Sequence, residues 1–332
     1  MPVSLAVPMP LARRALLALT ATATAAVTST AQAQPAWPSR PLRLVVPFPA
    51  GSTPDLAARA VALHFAQVFG QPCVVDNRAG GGGIGTEAIA RATDDHTIGV
   101  SIGGPASTAK LVNPALGYDP ALDLAPVSLL VRMPLVLAVH PAVPARDMAE
   151  FTAHAKANPG LMNYASVGAG TLGHLAIAEL AARHGLEMTH VPFRSLPQGV
   201  TEMVAGRIQL MAVATGAVLP QLREGLVRAL AISSEQRFAA APEIATLTEQ
   251  REGAAIWTWV GLFAPRSIPT ERLARLATEA RHALAEPQAV RTLTTAGFEV
   301  VASAPDDFAS FILAEIARWG PLISRLGIRP DS

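Results

Sequence analysis

The stretch "LRLVVPFPAGSTPDLAARAVALHFAQVFGQPCVVDN", residues 42–77, decides the fold class. A short apolar run, 42–48, reads as a strand, and 53–70 carries apolar residues at helical spacing. Thr53 stands where a helix cap belongs, with Pro54 at the first helical position. "PCVVDN" at 72–77 is a second strand. Strand, glycine-bearing loop, helix and strand in this order make a βα unit.

The alternation continues on both sides of a middle segment. "GTEAIARA" (85–92) and "ASTAKLVNP" (106–114) read as helices around the strand "TIGVSIG" (97–103). A second series follows "PLVLAVHP" (134–141). Its strands are 162–168, 188–193, 208–214 and 227–233, separated by helices at 147–159, 172–185, 198–206 and 218–225. "WTWVGLFAP" (257–265) reads as a return strand, with polar-faced helices around 270–285 and 305–326 after it. Repeated βα units imply a mostly parallel sheet covered on both faces. The fold class expected is α/β with two lobes, joined by two crossover strands and separated by a cleft. Residues 34–138 and 256–332 form lobe 1, and 139–255 form lobe 2.

Residues 1–33 have the form of a cleaved secretory signal, with Arg13 and Arg14 ahead of an apolar run and "AQA" at 31–33 as the cleavage site. Its removal would take the net charge from +1 to −1. No later apolar run reaches the roughly 20 residues of a membrane span. The protein is therefore expected to be exported and soluble. A periplasmic location and a monomeric state are further expectations. Lysine occurs only at Lys110 and Lys156, and no basic stripe exists to neutralise phosphates, so nucleic acid is not an expected partner. Cys73 is the only cysteine, which excludes an intrachain disulfide. The eight histidines show no zinc-type ligand spacing, and neither metal nor cofactor is expected.

"VVDNRAGGGGIG" (74–85) satisfies G-x-G-x-x-G at Gly80, Gly82 and Gly85. A dinucleotide fingerprint needs those glycines after the first strand, with an acid about 20 residues on. Here they follow the second strand, and Asp94 and Asp95 come too early. The hydrolase alternative rests on Ser166 and His174, but Ser166 lacks the flanking glycines of a nucleophile elbow. No enzymatic activity is expected.

Two other loops share one logic. "PFPAGSTPD" (47–55) and "SVGAGTLGH" (166–174) each end a strand with glycines and place hydroxyls at a helix start. Backbone N–H groups at a positive helix end suit an anion. Facing each other on two lobes, they would clamp a carboxylate without any lysine.

These stretches, with "GQPCVVDNRAGGGGIGTEAIARA", "YDPALDLAPVSLL", "LVLAVHP", "HAKANPG", "HVPF" and "WVGLFAP", resemble the Bug-type substrate-binding receptors of the tripartite tricarboxylate transporters. The resemblance spans nearly the whole chain after residue 37. It implies a Venus-flytrap receptor of the type II periplasmic-binding-protein kind. Such a receptor binds a small carboxylate and delivers it to membrane permease subunits. The ligand-binding residues expected are Phe48, Ala50, Gly51, Ser52, Thr53, Asp55, Ser107, Ser166, Gly168, Gly170, Thr171, His174 and Val213.

The chain departs from the family pattern at several places. Ser52 replaces the second glycine of a pair, and "TDDHT" (93–97) stands for the usual "PDGYT". Val191 to Ser195 stand for "VPYKG". Gln209 and Val213 occupy positions that often carry acids. Losing those acids removes counter-charges for a ligand amine.

Overall fold

The computed structural model describes residues 1–3, 37–80 and 82–330, so the expected signal segment lies, from residue 4 on, outside the described residues. The first βα series comprises β1 (Leu42–Val46), α1 (Thr53–Phe69), β2 (Cys73–Asn77), α2 (Gly83–Ala90) and β3 (Thr97–Ile102). Two single-turn helices follow, α3 (Ala109–Val112) and α4 (Pro120–Asp123), then the long strand β4 (Leu124–Val139). The second series runs α5 (Met148–Ala157), β5 (Met162–Ser166), α6 (Leu172–His184), β6 (Met188–Pro192), α7 (Leu196–Val204), β7 (Leu210–Ala214), α8 (Thr215–Arg223) and β8 (Arg228–Ile232). The chain then returns through β9 (Trp257–Pro265) and closes with α9 (Thr270–Ala285), α10 (Pro287–Thr295), β10 (Glu299–Val300) and α11 (Pro305–Leu326).

Local chemistry accounts for these elements. In α1, Ser52 is the extended N-cap, Pro54 sits in the first turn and Gly70 ends the helix in the left-handed region. Ala57, Ala58, Val61, Ala62 and Phe65 form its buried stripe against β1 and β3. β1 is almost wholly buried because helices cover both faces of a parallel sheet.

The strands divide into two sheets that share β4. In the first, β1 pairs in parallel with β2 and β3, and β9 lies antiparallel between β3 and β4. In the second, β5 pairs in parallel with β6 and β7, and β4 lies antiparallel to β7 and β8. β4 pairs with β9 from Leu124 to Pro134 and with β7 from Leu135 to Val139, so the sheets change hands between Pro134 and Leu135. The chain returns at Ile256, whose N–H donates to the Ser233 carbonyl (2.8 Å) just before β9. This is the two-lobed α/β architecture, with two crossings between lobes.

The glycines after β2 serve packing. A Cβ on Gly85 would lie 2.6 Å from the Pro47 Cα, so only glycine lets α2 approach the loop after β1. Cys73 is partly buried in β2, and burial pushes its thiol pKa up to about 12, an unreactive state.

Candidate ligand-binding site

A cleft of about 800 Å³ lies at the carboxyl ends of the strands, between the loops of the two sheets. From the first lobe it is lined by the loop after β1, by Ile102 and Gly103, and by Trp259 and Phe298. From the second it is lined by Ser166, Val167 and the start of α6, by α7, and by Ala212, Ala214 and Ala217. Among the described lining residues there is no Asp, Glu, Lys, Arg or His. Polar groups are hydroxyls and one amide, including Ser52, Thr53, Ser166, Thr171, Ser195, Thr201, Thr258 and Gln221. Ser52 Oγ and Gln221 Oε1 are buried with no hydrogen-bond partner among the described residues. Buried polar atoms are normally paired, so these two stand out among the lining residues.

The loop after β1 is held from beneath by Asp55. One carboxylate oxygen accepts from the Gly51 N–H (2.8 Å) and Arg59 Nε (2.8 Å); the other accepts from Asn77 Nδ2 (2.9 Å). Asn77 also donates to the Phe48 carbonyl at 3.0 Å, so the end of β2 and the start of α1 fix one loop together. Burial raises the Asp55 pKa, but the hydrogen bonds from Arg59, Asn77 and Gly51 outweigh it and hold the carboxyl below its ordinary value. Asp55 therefore stays ionised while 1% exposed.

The loop after β5 is built on histidines. Ser166 Oγ lies 2.7 Å from His190 Nε2 and accepts from the Gly168 N–H at 3.1 Å. Thr171 Oγ1 donates to the Gly168 carbonyl (2.7 Å), and the Gly170 N–H donates to His174 Nδ1 (3.0 Å). The His174 and His190 rings stack with centroids 4.1 Å apart, and Tyr164 stacks on both. Burial and the neighbouring His190 lower the His174 pKa to about 3, so the ring is neutral and can accept from Gly170. The hydrolase alternative meets different neighbours here. Ser166 pairs with His190, while His174 holds the backbone of the loop.

The structure thus brings Phe48, Ala50, Gly51, Ser52, Thr53, Ser166 and Thr171 to the cleft wall. It places Asp55, Gly168, Gly170 and His174 behind it as the supports just described. Ser107 is buried in the loop after β3, accepting from the Gly104 N–H at 3.2 Å. Val213 packs with Val136 and Val218, away from the cleft that Ala212 and Ala214 line, as the period-2 alternation of a strand requires. Several loop amides that the sequence leaves open are taken internally, at Gly51, Gly168 and Gly170. The orphan donors that any helix leaves in its first turn remain at Leu172 and Gly173 of α6. Gly173 also lets α6 press on β7, since a Cβ there would lie 2.6 Å from the Ala212 carbonyl.

Sequence reasoning missed another part of the cleft lining, formed by Leu196, Pro197, Val200, Gln221, Trp259 and Phe298. The amphipathic spacing of 196–204 was the available signal. Trp259 is set in place by donating from Nε1 to Glu315 Oε2 on α11 (3.3 Å). Arg194, beside this wall in sequence, is exposed and does not line the cleft.

Comparison with known proteins gives a consistent picture. The profile of the tripartite tricarboxylate transporter family receptor matches residues 57–328. A protein encoded in the tcbD–tcbE intergenic region of a Pseudomonas species is 37% identical over 321 residues, covering 94% of each chain. Protein BugT of Bordetella pertussis is 31% identical over 297 residues, covering 88% of this chain and 91% of BugT. Among solved structures, an R. palustris protein with adipate has a TM-score of 0.81 at 31% identity, covering 89% of this chain and all of that one. MatC from Rhodopseudomonas palustris with bound malate has a TM-score of 0.80 at 30% identity, covering 86% of this chain and 100% of MatC.

Proposed function

The chain belongs to the tripartite tricarboxylate transporter receptor family, and on that premise we propose that it is a periplasmic solute receptor for a carboxylate with an uncharged, largely apolar body. The observation that carries the ligand class is the cleft wall, which presents apolar side chains, hydroxyls and one amide but no described ionisable group. The carboxylate sits where Ser52 and the first turns of α1 and α6 meet, and the body lies along Leu196, Val200, Trp259 and Phe298. Gln221 Oε1 suits a hydroxyl on that body.

Magnitudes favour this division of labour. A helix end contributes up to about 2 kcal/mol to a partly buried anion. An aromatic body burying roughly 150 Å² gains about 4 kcal/mol at about 25 cal/mol per Å². The body therefore supplies most of the affinity, and the loops select the anion and set its orientation. A second ligand charge would be buried without a counter-charge, at a cost of several kcal/mol.

In this reading residues 37–134 and 256–330 move as one lobe against 135–255, so the boundary falls at the sheet exchange before Leu135 and not at the expected 138. The exported mature chain begins at Gln34 and works as a monomer. It passes its ligand to permease subunits chemically unchanged. A thermal-shift panel of aryl and alkyl monocarboxylates, diacids, tricarboxylates, amino acids and nucleotides tests the class. Monocarboxylates should raise the melting temperature, a ligand at 100 times its Kd adding about 2.7 kcal/mol. Stabilisation by amino acids or nucleotides alone would defeat the proposal.

A further inference from the structure

We propose that His64, Glu279 and His282 form a binding site for a zinc-class divalent cation on lobe 1, outside the ligand cleft. His64 projects from the middle of α1, and Glu279 and His282 stand three residues apart on α9, on one helical face. The pairing is invisible in the sequence, because His64 and Glu279 are 215 positions apart.

The geometry is that of a three-ligand site. His64 Nε2 lies 3.0 Å from Glu279 Oε2, and His282 Nδ1 lies 3.3 Å from the same oxygen. The three donor atoms all fall within 4.8 Å of one another. Ligand atoms about 2.0–2.2 Å from a tetrahedral zinc ion are spaced on the order of 3.3 Å apart, so small side-chain rotations suffice. The most exposed member, His282 at 62%, is free to make them.

Glu286 completes the arrangement. Its Oε1 lies 2.6 Å from His64 Nδ1, the ring nitrogen left over when Nε2 faces an ion. A metal-bound imidazole ordinarily gives its other N–H to a carboxylate, which fixes ring and tautomer. Two imidazoles and one carboxylate make a borderline nitrogen–oxygen set that selects zinc over calcium or magnesium. Three protein ligands leave a fourth position for water or an external group. The base of the site is rigid, since α1 and α9 pack through Val61, Phe65, Leu276 and Ala280. An ion here would staple the two helices, and α1 begins at the ligand loop.

The test is calorimetric titration of the full mature protein, stripped with a chelator, with zinc chloride, then with magnesium and calcium chloride. One zinc per chain should bind, with no magnesium or calcium heat at the same concentrations. Glu279→Gln and His282→Ala should each weaken zinc by at least 100-fold, and Glu286→Gln by about 10- to 100-fold. Circular dichroism checks that each variant is folded. Cobalt(II) should give visible absorption bands with the wild type and lose them in His282→Ala. No zinc heat, or zinc affinity equal in wild type and both ligand variants, would overturn the site and leave a hydrogen-bonded network only.

Discussion

The Thr108 hydroxyl donates to the Gly170 carbonyl at 3.1 Å, tying the loop after β3 in one lobe to the loop after β5 in the other. The contact is buried and close. A Cβ on Gly104 would lie 3.1 Å from the same carbonyl, and one on Gly216 of α8 would lie 2.0 Å from the Ala296 carbonyl on the opposite lobe. The lobes therefore touch backbone to backbone on two sides of the cleft. Thr108→Val removes one of these ties and leaves a buried carbonyl without its donor. It should weaken ligand by about 1 kcal/mol, roughly fivefold in Kd. Titration calorimetry measures this. Small-angle scattering should show a larger radius of gyration than wild type at subsaturating ligand, by a shift toward the open state.

Asp55 should matter to stability more than to direct ligand contact. Asp55→Ala strands the Gly51 N–H, Asn77 and Arg59 together, at a cost of about 2–3 kcal/mol. The pH dependence has a definite sign. The folded carboxyl titrates below its ordinary value, so the unfolded chain takes up the proton first as pH falls. Its contribution is complete above the unfolded pKa of about 3.9 and is lost as pH falls through the folded value. Urea unfolding from pH 7 to pH 3 should show the wild type converging on Asp55→Asn only below about pH 4.

The loop after β5 depends on glycine at two positions. Gly168 has φ +127° and Gly170 φ +76°, conformations that side chains rarely adopt. A Cβ at Gly170 would also lie 2.5 Å from Val112 Cγ2 of α3 in the other lobe. Gly170→Val should therefore weaken binding by at least tenfold, through both the turn and closure. Thr171→Ala loses one hydrogen bond and should cost about 1 kcal/mol. Arg194→Ala, at an exposed site off the cleft, should leave Kd within about twofold. Calorimetry on the three variants checks the ranking. A collapse of affinity in Arg194→Ala alone would point to a side-chain ion pair in place of the loops.

The βα alternation and the two glycine-bearing loops at the cleft were legible because each is written in contiguous residues: an apolar run, a glycine turn, a cap. β4 was not. The sequence reading marks only 134–141 there, whereas the strand starts at Leu124 and runs through Pro126 and Pro134, a residue type that strand interiors ordinarily exclude. The fold accommodates Pro126 beside a bulge and uses Pro134 where the strand leaves one sheet for the other. The short helix α10 and the two-residue β10 also escaped notice. The loop amides were misjudged for another reason. Asp55 and His174 reach back to fill them, and whether a turn amide is capped by a nearby side chain depends on geometry that spacing does not carry. The apolar wall is set by α7, β9 and the turn between α10 and β10 meeting in space, which no local pattern states.

The central claim is that the cleft takes one carboxylate on an uncharged body. The most direct measurement is calorimetry with three molecules that share one body: 3-phenylpropanoate, its carboxamide, and 3-(4-carboxyphenyl)propanoate. The mono-acid should bind, the amide should lose at least tenfold because the helix ends and Ser52 no longer meet a charge, and the diacid should lose more because its second charge is buried unpaired. Equal affinity for acid and amide would contradict the anion seat, and tighter binding of the diacid would contradict the uncharged wall.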